Sequence, residues 1–134
     1  MSLKVDRDIR AELGSPTLIA GWPGMGSVGV GAVNYLRRSL EGEACAHVDL
    51  RSYFSPDMVV VEDGLARFPD APSHVFYHVP GLDLILFESE AQVPGEGGTS
   101  MMNEVLDFAQ ELEVSAIYTA AALAVPMSHT DDVQ

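Results

Sequence analysis

The sequence predicts an α/β domain with a mixed β-sheet, and two observations lead to this class. Near each end of the chain, apolar segments of strand type flank an amphipathic helix, and the middle of the chain holds strand pairs joined by tight turns. A length of 134 residues with 47% hydrophobic residues fits one packed domain. We expect residues 1–15 to form a polar N-terminal lead-in and residues 16–134 to form a single α/β domain.

The first structural unit is a strand, a glycine-rich turn and a helix. Thr17–Ala20 is a short apolar run typical of a buried strand, and Gly21–Ser27 is dense in glycine and proline. Ser27 is placed to cap the following helix, and Gly42 is placed to end it. The apolar face predicted for this helix recurs every four residues, at Val28, Ala32, Leu36 and Leu40.

The middle of the chain predicts five strands, four of them in turn-linked pairs. Ala44–Leu50 has the composition of a single strand. Met58–Val61 and Leu65–Phe68 are separated by a Glu-Asp-Gly turn, which indicates a hairpin. Val75–Val79 and Leu82–Phe87 are joined through a Pro-Gly turn, so we expect that pair to be antiparallel.

The last part of the chain predicts a loop, a helix and a final strand. Glu88–Thr99 carries a proline and three glycines and is expected to be a loop. Met101–Leu112 has one continuous apolar stripe opposite an acidic face, which predicts an amphipathic helix. Ala116–Ala121 is apolar enough to be a central strand, yet the remaining sequence supplies no element to cover it. We therefore expect either the front part of a longer domain or a chain completed by a second copy.

The charge of the chain argues against several classes of partner. It has 20 acidic and 7 basic residues, for a formal net charge of −13. A chain this acidic repels phosphate backbones and anionic lipid surfaces, so we expect no nucleic acid and no membrane as a partner. Lys4 is the one lysine in the sequence, which argues against a lysine nucleophile and against a phosphate-binding P-loop.

Cysteine and histidine usage indicates the compartment and argues against a metal site. Cys45 is the one cysteine, so the chain forms no disulfide within itself and fits a reducing compartment. His74 and His78 fall four residues apart in a predicted strand, about 13 Å at ~3.3 Å per residue, which is too far for a shared metal ion. The sequence has neither a signal-peptide pattern nor a run of ~20 apolar residues. We predict a cytoplasmic protein without a metal.

One glycine motif has two interpretations. Gly24–Gly29 matches G-x-G-x-x-G between a predicted strand and a predicted helix, and Asp49 follows its last glycine by twenty residues, as in a dinucleotide fingerprint. Against this, Gly21–Pro23 separate the strand from the motif, and the chain continues into hairpins instead of repeated β-α units. We therefore predict no cofactor. The alternative is a small-molecule or nucleotide-binding enzyme that uses this loop with Glu88 or Glu90.

The sequence contains no convincing catalytic set. Ser27 lies on a strand-turn-helix elbow, but Met25 is large where a nucleophile elbow needs a small residue, and no histidine is marked as a base. Glu88 and Glu90 alternate, so they are expected to point to the same side. Loops that follow parallel strands gather at the edge where α/β sheets bind ligands, and those expected here are Gly21–Ser27, Glu88–Thr99 and Ala121–His129.

The residues around the first turn resemble a known family. Leu18–Gly29 reads LIAGWPGMGSVG and is similar to the N-terminal signature of the proteasome assembly chaperone 2 family, with Trp22 where the family usually has phenylalanine. Val59–Gly64 and Leu84–Pro94 resemble later segments of that family in the same order, with Val93 inserted between glutamine and proline. The helix and strand that follow also match in order. The resemblance covers about residues 16–124, the front part of the family domain.

The resemblance implies a fold and a role. The fold is a three-layer α/β/α domain with a mixed sheet, phosphorylase/hydrolase-like and incomplete here at its C-terminal end. The role is in protein assembly, because eukaryotic and archaeal members are linked to proteasome assembly. We therefore expect a non-enzymatic protein-binding or assembly module that forms homo-oligomers and binds another protein. The candidate ligand- or partner-contacting residues are Trp22, Gly24, Met25, Gly26, Ser27, Glu88, Glu90 and Gln92.

Overall fold

The computed structural model describes residues 2–132 of the chain. Over this range the strands and α-helices occur in the order β1 (Leu3–Val5), β2 (Thr17–Gly21), α1 (Val28–Ser39), β3 (Glu43–Val48), β4 (Val60–Glu62), β5 (Leu65–Arg67), β6 (His74–His78), β7 (Leu84–Ser89), α2 (Gly95–Glu111) and β8 (Ala116–Thr119). All of them except β1 coincide with a segment that the sequence predicts, with ends that shift by a few residues.

The main sheet is mixed, which confirms the predicted fold class. Within residues 2–132 its six strands have the order β1-β3-β6-β7-β2-β8. Strand β2 pairs in parallel with β7 and β8, whereas β1 with β3, β3 with β6 and β6 with β7 are antiparallel. Strands β4 and β5 form a separate antiparallel hairpin. The carboxyl ends of β2, β7 and β8 therefore meet at one edge of the sheet.

The two helices cover opposite faces of the sheet. Along β7, Phe87 packs in the larger core with α2, and Leu86, which points the other way, packs with Val33 of α1. Aromatic rings fill the centre of the larger core, where the Phe76 ring centroid lies 4.6 Å from that of Phe87 and 4.9 Å from that of Phe108. This arrangement of helix, sheet and helix forms the three layers.

Two glycines allow helix α1 to start close against the sheet. A Cβ atom built at Gly21 would lie 2.6 Å from the carbonyl oxygen of Gly29, and a Cβ built at Gly29 would lie 2.2 Å from the carbonyl oxygen of Ala120. The buried face of α1 is consequently formed by Gly29 and Val33. The predicted apolar stripe is wrong in part, because Val28, Ala32 and Leu40 are exposed and Leu36 is half-buried.

Helix α2 begins at Gly95, so the expected loop over residues 88–99 is wrong at both ends. Glu88 and Ser89 belong to strand β7, and the glycines after Pro94 form the first helical turn. A Cβ built at Gly98 would lie 2.1 Å from the carbonyl oxygen of Val93, and one built at Gly97 would lie 2.8 Å from the Tyr53 ring. These glycines therefore serve close packing at the start of a helix, whereas their sequence pattern is typical of a loop.

The N-terminal segment is part of the fold, which corrects the expectation of a lead-in. Strand β1 pairs with β3 at one edge of the sheet. The backbone N–H groups of Ser2 and Leu3 donate hydrogen bonds to the Glu104 carboxylate of α2, at 3.0 and 3.3 Å. Ile9 is 1% exposed within the larger core. A single buried isoleucine in a polar segment is a weak sequence signal, although it anchors the segment.

Strand β8 lies at the other edge of the sheet, although its apolar composition is typical of a central strand. It pairs with β2 along one side, and among the described residues no strand pairs with its other side. Ile117 is 42% exposed and Tyr118 is 61% exposed. The most apolar short segment near the end of the sequence is therefore only half covered by the described part of the chain.

Candidate functional site

A groove lies at the carboxyl edge of β2, β7 and β8, between the first turns of the two helices. Its volume is about 650 Å³. We call it the carboxyl-edge groove, and it is lined by Trp22, Pro23, Gly24, Met25, Gly29, Gln92, Val93, Gly95, Gly98, Thr99, Met101, Met102, Asn103, Thr119, Ala120, Ala121 and Ala122. This is the edge at which the sequence places the ligand-binding loops.

The turn after β2 forms one wall of the groove and is anchored by two contacts. The Trp22 ring packs against Phe87 of the core, with ring centroids 5.4 Å apart and planes at 55°. The side-chain amide of Gln92 donates a hydrogen bond of 2.7 Å to the carbonyl oxygen of Pro23. Because Gln92 follows β7, this bond ties the second loop to the first. Trp22 and Gln92 therefore hold the shape of the groove as well as lining it.

The end of the same turn presents apolar and backbone groups to solvent. Met25 is 58% exposed at the rim of the groove. Gly26 has a φ of 62°, in the left-handed region that favours glycine, and Ser27 follows in the same region with a φ of 52°. Ser27 precedes α1 as predicted, but its side chain makes no capping hydrogen bond, because a capping serine needs an extended backbone.

The groove is uncharged, although the chain is strongly acidic. None of the described residues that line it carries an ionisable side chain. The carbonyl oxygen of Ala120 packs directly against Gly29, so the last glycine of the motif is needed for close packing between the end of β8 and the start of α1. An uncharged wall of Trp, Met, Val and Ala suits an apolar or neutral surface better than a phosphate group.

Asp49 does not approach the glycine turn. Strands β6 and β7 lie between β3, which Asp49 follows, and β2, which leads into the turn. The Asp49 carboxylate accepts hydrogen bonds from Arg51 and from Lys4, the latter at 3.0 Å, and these bonds hold its pKa well below the usual range. The two halves of the dinucleotide fingerprint are therefore apart in space, and the nucleotide-binding alternative is not favoured.

Glu88 and Glu90 lie outside the groove. Glu88 is paired under helix α1, where its carboxylate accepts hydrogen bonds from Arg37 Nε at 2.6 Å and from Asn34 Nδ2 at 2.9 Å. This carboxylate raises the pKa of Arg37. Glu90 accepts a hydrogen bond of 2.7 Å from the backbone N–H of Ser73. Both carboxylates are engaged within the chain, and neither lines the groove.

The structure thus brings together half of the candidate residues, namely Trp22, Gly24, Met25 and Gln92, around the groove. The segment after β8 lines the groove as the sequence predicts, and the structure adds residues 101–103 of α2, which the sequence does not place there. Met101 is buried in the core, whereas its neighbour Met102 is 42% exposed and lines the groove. Over residues 2–132, no three metal-binding side chains converge, and no helix is long and apolar enough to cross a membrane.

Two further surfaces expose large apolar side chains. The hairpin patch lies on β4, β5 and their flanks and consists of Met58, Val59, Val61, Leu65 and Phe68, each at least 57% exposed. The edge patch lies on β8 and the segment after it and consists of Ile117, Tyr118, Leu123, Val125 and Met127. Clusters of this kind mark interaction surfaces in soluble proteins more often than isolated exposed apolar residues do.

Comparison with known proteins identifies similar sequences and folds. The model of the PAC2 family matches residues 18–134. A Pyrococcus furiosus protein, PbaB, an archaeal proteasome activator, is 25% identical with a TM-score of 0.62 over 87% of this chain and 50% of its own. A PAC2 family protein from Streptomyces avermitilis is 26% identical with a TM-score of 0.56 over 77% and 48%.

A third structure shares the fold at lower identity. Pyrococcus furiosus PbaA, an archaeal homolog of proteasome-assembly chaperone, is 22% identical with a TM-score of 0.58 over 86% of this chain and 46% of its own. The chain therefore spans about half the length of the solved structures that it matches. No curated protein is significantly similar to it.

Proposed function

Since the chain belongs to the PAC2 family, we propose that it is a non-enzymatic protein-binding module of the assembly-chaperone type, which associates with itself and with another protein. The family match supports the resemblance of its first turn to the proteasome assembly chaperone signature. The relatives PbaB and PbaA, a proteasome activator and a homolog of proteasome-assembly chaperone, suggest proteasome subunits of the same organism as the other protein. Such a partner and a reducing compartment fit the cytoplasm.

The observation that carries the proposal is the outer edge of β8, with which no strand among residues 2–132 pairs. Edge strands in soluble proteins are usually protected by charge, proline or a covering element. Here residues 116–127 contain no charged side chain and no proline before Pro126, in a chain with 20 acidic residues. Tyr118 and Ile117 are exposed on this strand, and the edge patch continues from it. A second copy that adds a strand at this edge would pair the backbone and cover the patch.

The hairpin patch supports a second, separate contact. Strands β4 and β5 pair with each other and not with the main sheet, so the hairpin presents its apolar side chains apart from the core. Leu65 is 75% exposed and Phe68 is 68% exposed. We assign self-association to the edge patch and the contact with another protein to the hairpin patch.

Sedimentation velocity at micromolar concentration tests self-association. The parent chain should sediment as an oligomer, and Tyr118→Lys should convert it to a monomer, because a charge at the strand edge opposes pairing. Tyr35→Lys is the matched control, since Tyr35 is 71% exposed on the outer side of α1 and the variant has the same charge. A monomeric parent, or an unchanged Tyr118→Lys oligomer, would contradict the proposal.

Co-sedimentation with purified proteasome subunits of the same organism tests the second contact. The parent chain should migrate with the subunits, and Leu65→Arg should abolish this while leaving the self-association intact. Tyr118→Lys, by contrast, should abolish the self-association. If Leu65→Arg binds the subunits as the parent does, the hairpin patch is not the contact.

A further inference from the structure

A second pocket lies beside the carboxyl-edge groove, between the segments 50–55, 71–74 and 91–94. Its volume is about 360 Å³, inside the range of roughly 300–1,000 Å³ that is usual for small-molecule sites. Tyr53, Phe54, Pro72 and Val93 supply ring and aliphatic walls. No aspartate, glutamate, lysine or arginine is among the described residues that line it. We call it the His74 pocket after the one histidine in its wall.

His74 is almost wholly buried and its protonation state follows from its neighbours. The side chain is 3% exposed at the start of β6. Its Nδ1 lies 2.7 Å from the hydroxyl oxygen of Ser89, and that hydroxyl donates its one hydrogen to the carbonyl oxygen of Ala91 at 2.8 Å. The serine oxygen can therefore only accept from Nδ1, which must carry the ring proton.

This leaves Nε2 of the neutral ring as a hydrogen-bond acceptor. Burial lowers the pKa of His74, so the neutral form is the one present at neutral pH. Among the described residues Nε2 has no hydrogen-bond partner, and the ring lines the pocket. Because the His74 ring forms part of the pocket wall, an occupant of the pocket can donate a hydrogen bond to this acceptor. The serine hydroxyl thus orients the His74 acceptor in an uncharged wall that also contains the polar side chains of Ser55 and Gln92.

We propose that the His74 pocket binds a small, uncharged aromatic molecule that donates one O–H or N–H hydrogen bond to His74 Nε2. Rings of Tyr53 and Phe54 and the prolines at 72 and 94 match an aromatic body. The net charge of −13 and the absence of a basic residue from the described wall disfavour an anion. The pocket is separate from the edge and hairpin patches, so this inference does not depend on the proposed function.

Phenol is the probe, because it combines one ring with one O–H donor. Anisole keeps the ring but lacks the donor, and benzoate adds a negative charge. In ¹H–¹⁵N spectra of the full chain at neutral pH, phenol should cause saturable shifts at residues 53–55, 73–74 and 91–93. Anisole should bind about tenfold more weakly, the ratio that corresponds to one net hydrogen bond, and benzoate should not bind.

Variants separate the acceptor from the shape of the pocket. His74→Phe keeps a ring but removes Nε2, so phenol and anisole should bind it equally. Ser89→Ala removes the oxygen that holds the tautomer and should weaken phenol binding. His47→Phe is the control, because His47 lies on the exposed side of β3 and pairs with Asp6. It should bind phenol as the parent does.

Several results would overturn the proposal. These are the absence of saturable phenol binding, equal affinities for phenol and anisole in the parent chain, and shifts confined to residues outside the pocket. Discrimination between phenol and anisole that persists in His74→Phe would also overturn it. If His74→Phe does not fold, the comparison of the three probes on the parent chain still decides the question, because it requires no variant.

Discussion

Replacing Gly29 by alanine tests whether the glycine motif serves packing. The new methyl carbon would lie 2.2 Å from the carbonyl oxygen of Ala120, whereas ordinary van der Waals contact begins at about 3.4 Å. Both groups belong to the backbone, so neither can move aside as a flexible side chain would. The start of α1 and the end of β8 must separate by about 1 Å, which disturbs well-packed atoms.

The expected cost follows from two opposing terms. Overpacking of this kind destabilises a domain by about 1–3 kcal/mol. Replacing glycine by alanine in a helix returns roughly 0.5–1 kcal/mol of backbone entropy and propensity. We therefore expect Gly29→Ala to lower the free energy of unfolding by about 1 kcal/mol, and by at most about 2.5 kcal/mol.

Gly31 provides a matched control two residues further along the same helix. A Cβ built there meets no atom within 4 Å. Gly31→Ala should therefore raise the free energy of unfolding by roughly 0.5–1 kcal/mol. Urea denaturation followed by circular dichroism measures both variants at the same protein concentration, since self-association adds to apparent stability. If Gly29→Ala is as stabilising as Gly31→Ala, the packing explanation of the motif is wrong.

Three further predictions concern buried polar groups. Glu88→Ala should lower the free energy of unfolding by about 1–3 kcal/mol, because it leaves Arg37 and Asn34 without their acceptor. Removing the exposed Glu62–Arg67 pair should change this free energy by less than about 0.5 kcal/mol. Urea denaturation measures both effects. Burial raises the pKa of the Cys45 thiol to about 11, so iodoacetamide at pH 8 should label the chain only after denaturation, as mass spectrometry would show. Burial lowers the pKa of His74 from 6.5 despite the nearby carboxylate of Glu90. As the pH falls below 6.5, the unfolded chain binds a proton at this histidine more readily than the folded chain does. The free energy of unfolding should therefore decrease more steeply on acidification in the parent chain than in His74→Phe.

The elements with strong local signals could be predicted from the sequence. An apolar run before a Gly-Pro turn predicts β2, and a Glu-Asp-Gly turn between two short apolar segments predicts the β4–β5 hairpin, because both signals lie within a few residues. Strand β1 has no such signal. Its three residues are stabilised by distant partners, the paired strand β3 and the Glu104 carboxylate, which only the fold brings near.

Glycine explains why the predicted apolar face of α1 and the predicted start of α2 were wrong, and the physical reason is the same for both. Hydrophobic periodicity counts side chains, so it overlooks a residue that is buried because it has none. At Gly29 the helix face turns toward the sheet through a missing side chain, and the apparent stripe at Val28 and Ala32 faces solvent. At Gly98 the same absence admits the carbonyl of Val93 into the first turn of α2. Whether a glycine ends a helix or permits a close contact depends on the group that packs against it, and the local sequence does not show which group that is.

The candidate site shows the same division between local and distant information. Gln92 is recognisable in the sequence through the family pattern, but its hydrogen bond to Pro23 joins residues 69 positions apart. That bond and the contact between Gly29 and Ala120 set the walls of the groove. A phosphate-binding loop needs free backbone N–H groups and a nearby acid that can hold a ribose. Here two strands, β6 and β7, separate the strand that Asp49 follows from β2, and the last glycine of the motif packs against the carbonyl oxygen of Ala120. The same G-x-G-x-x-G pattern therefore serves here to pack strand, turn and helix together, and the fold leaves apolar surfaces exposed at the sheet edge and at the hairpin.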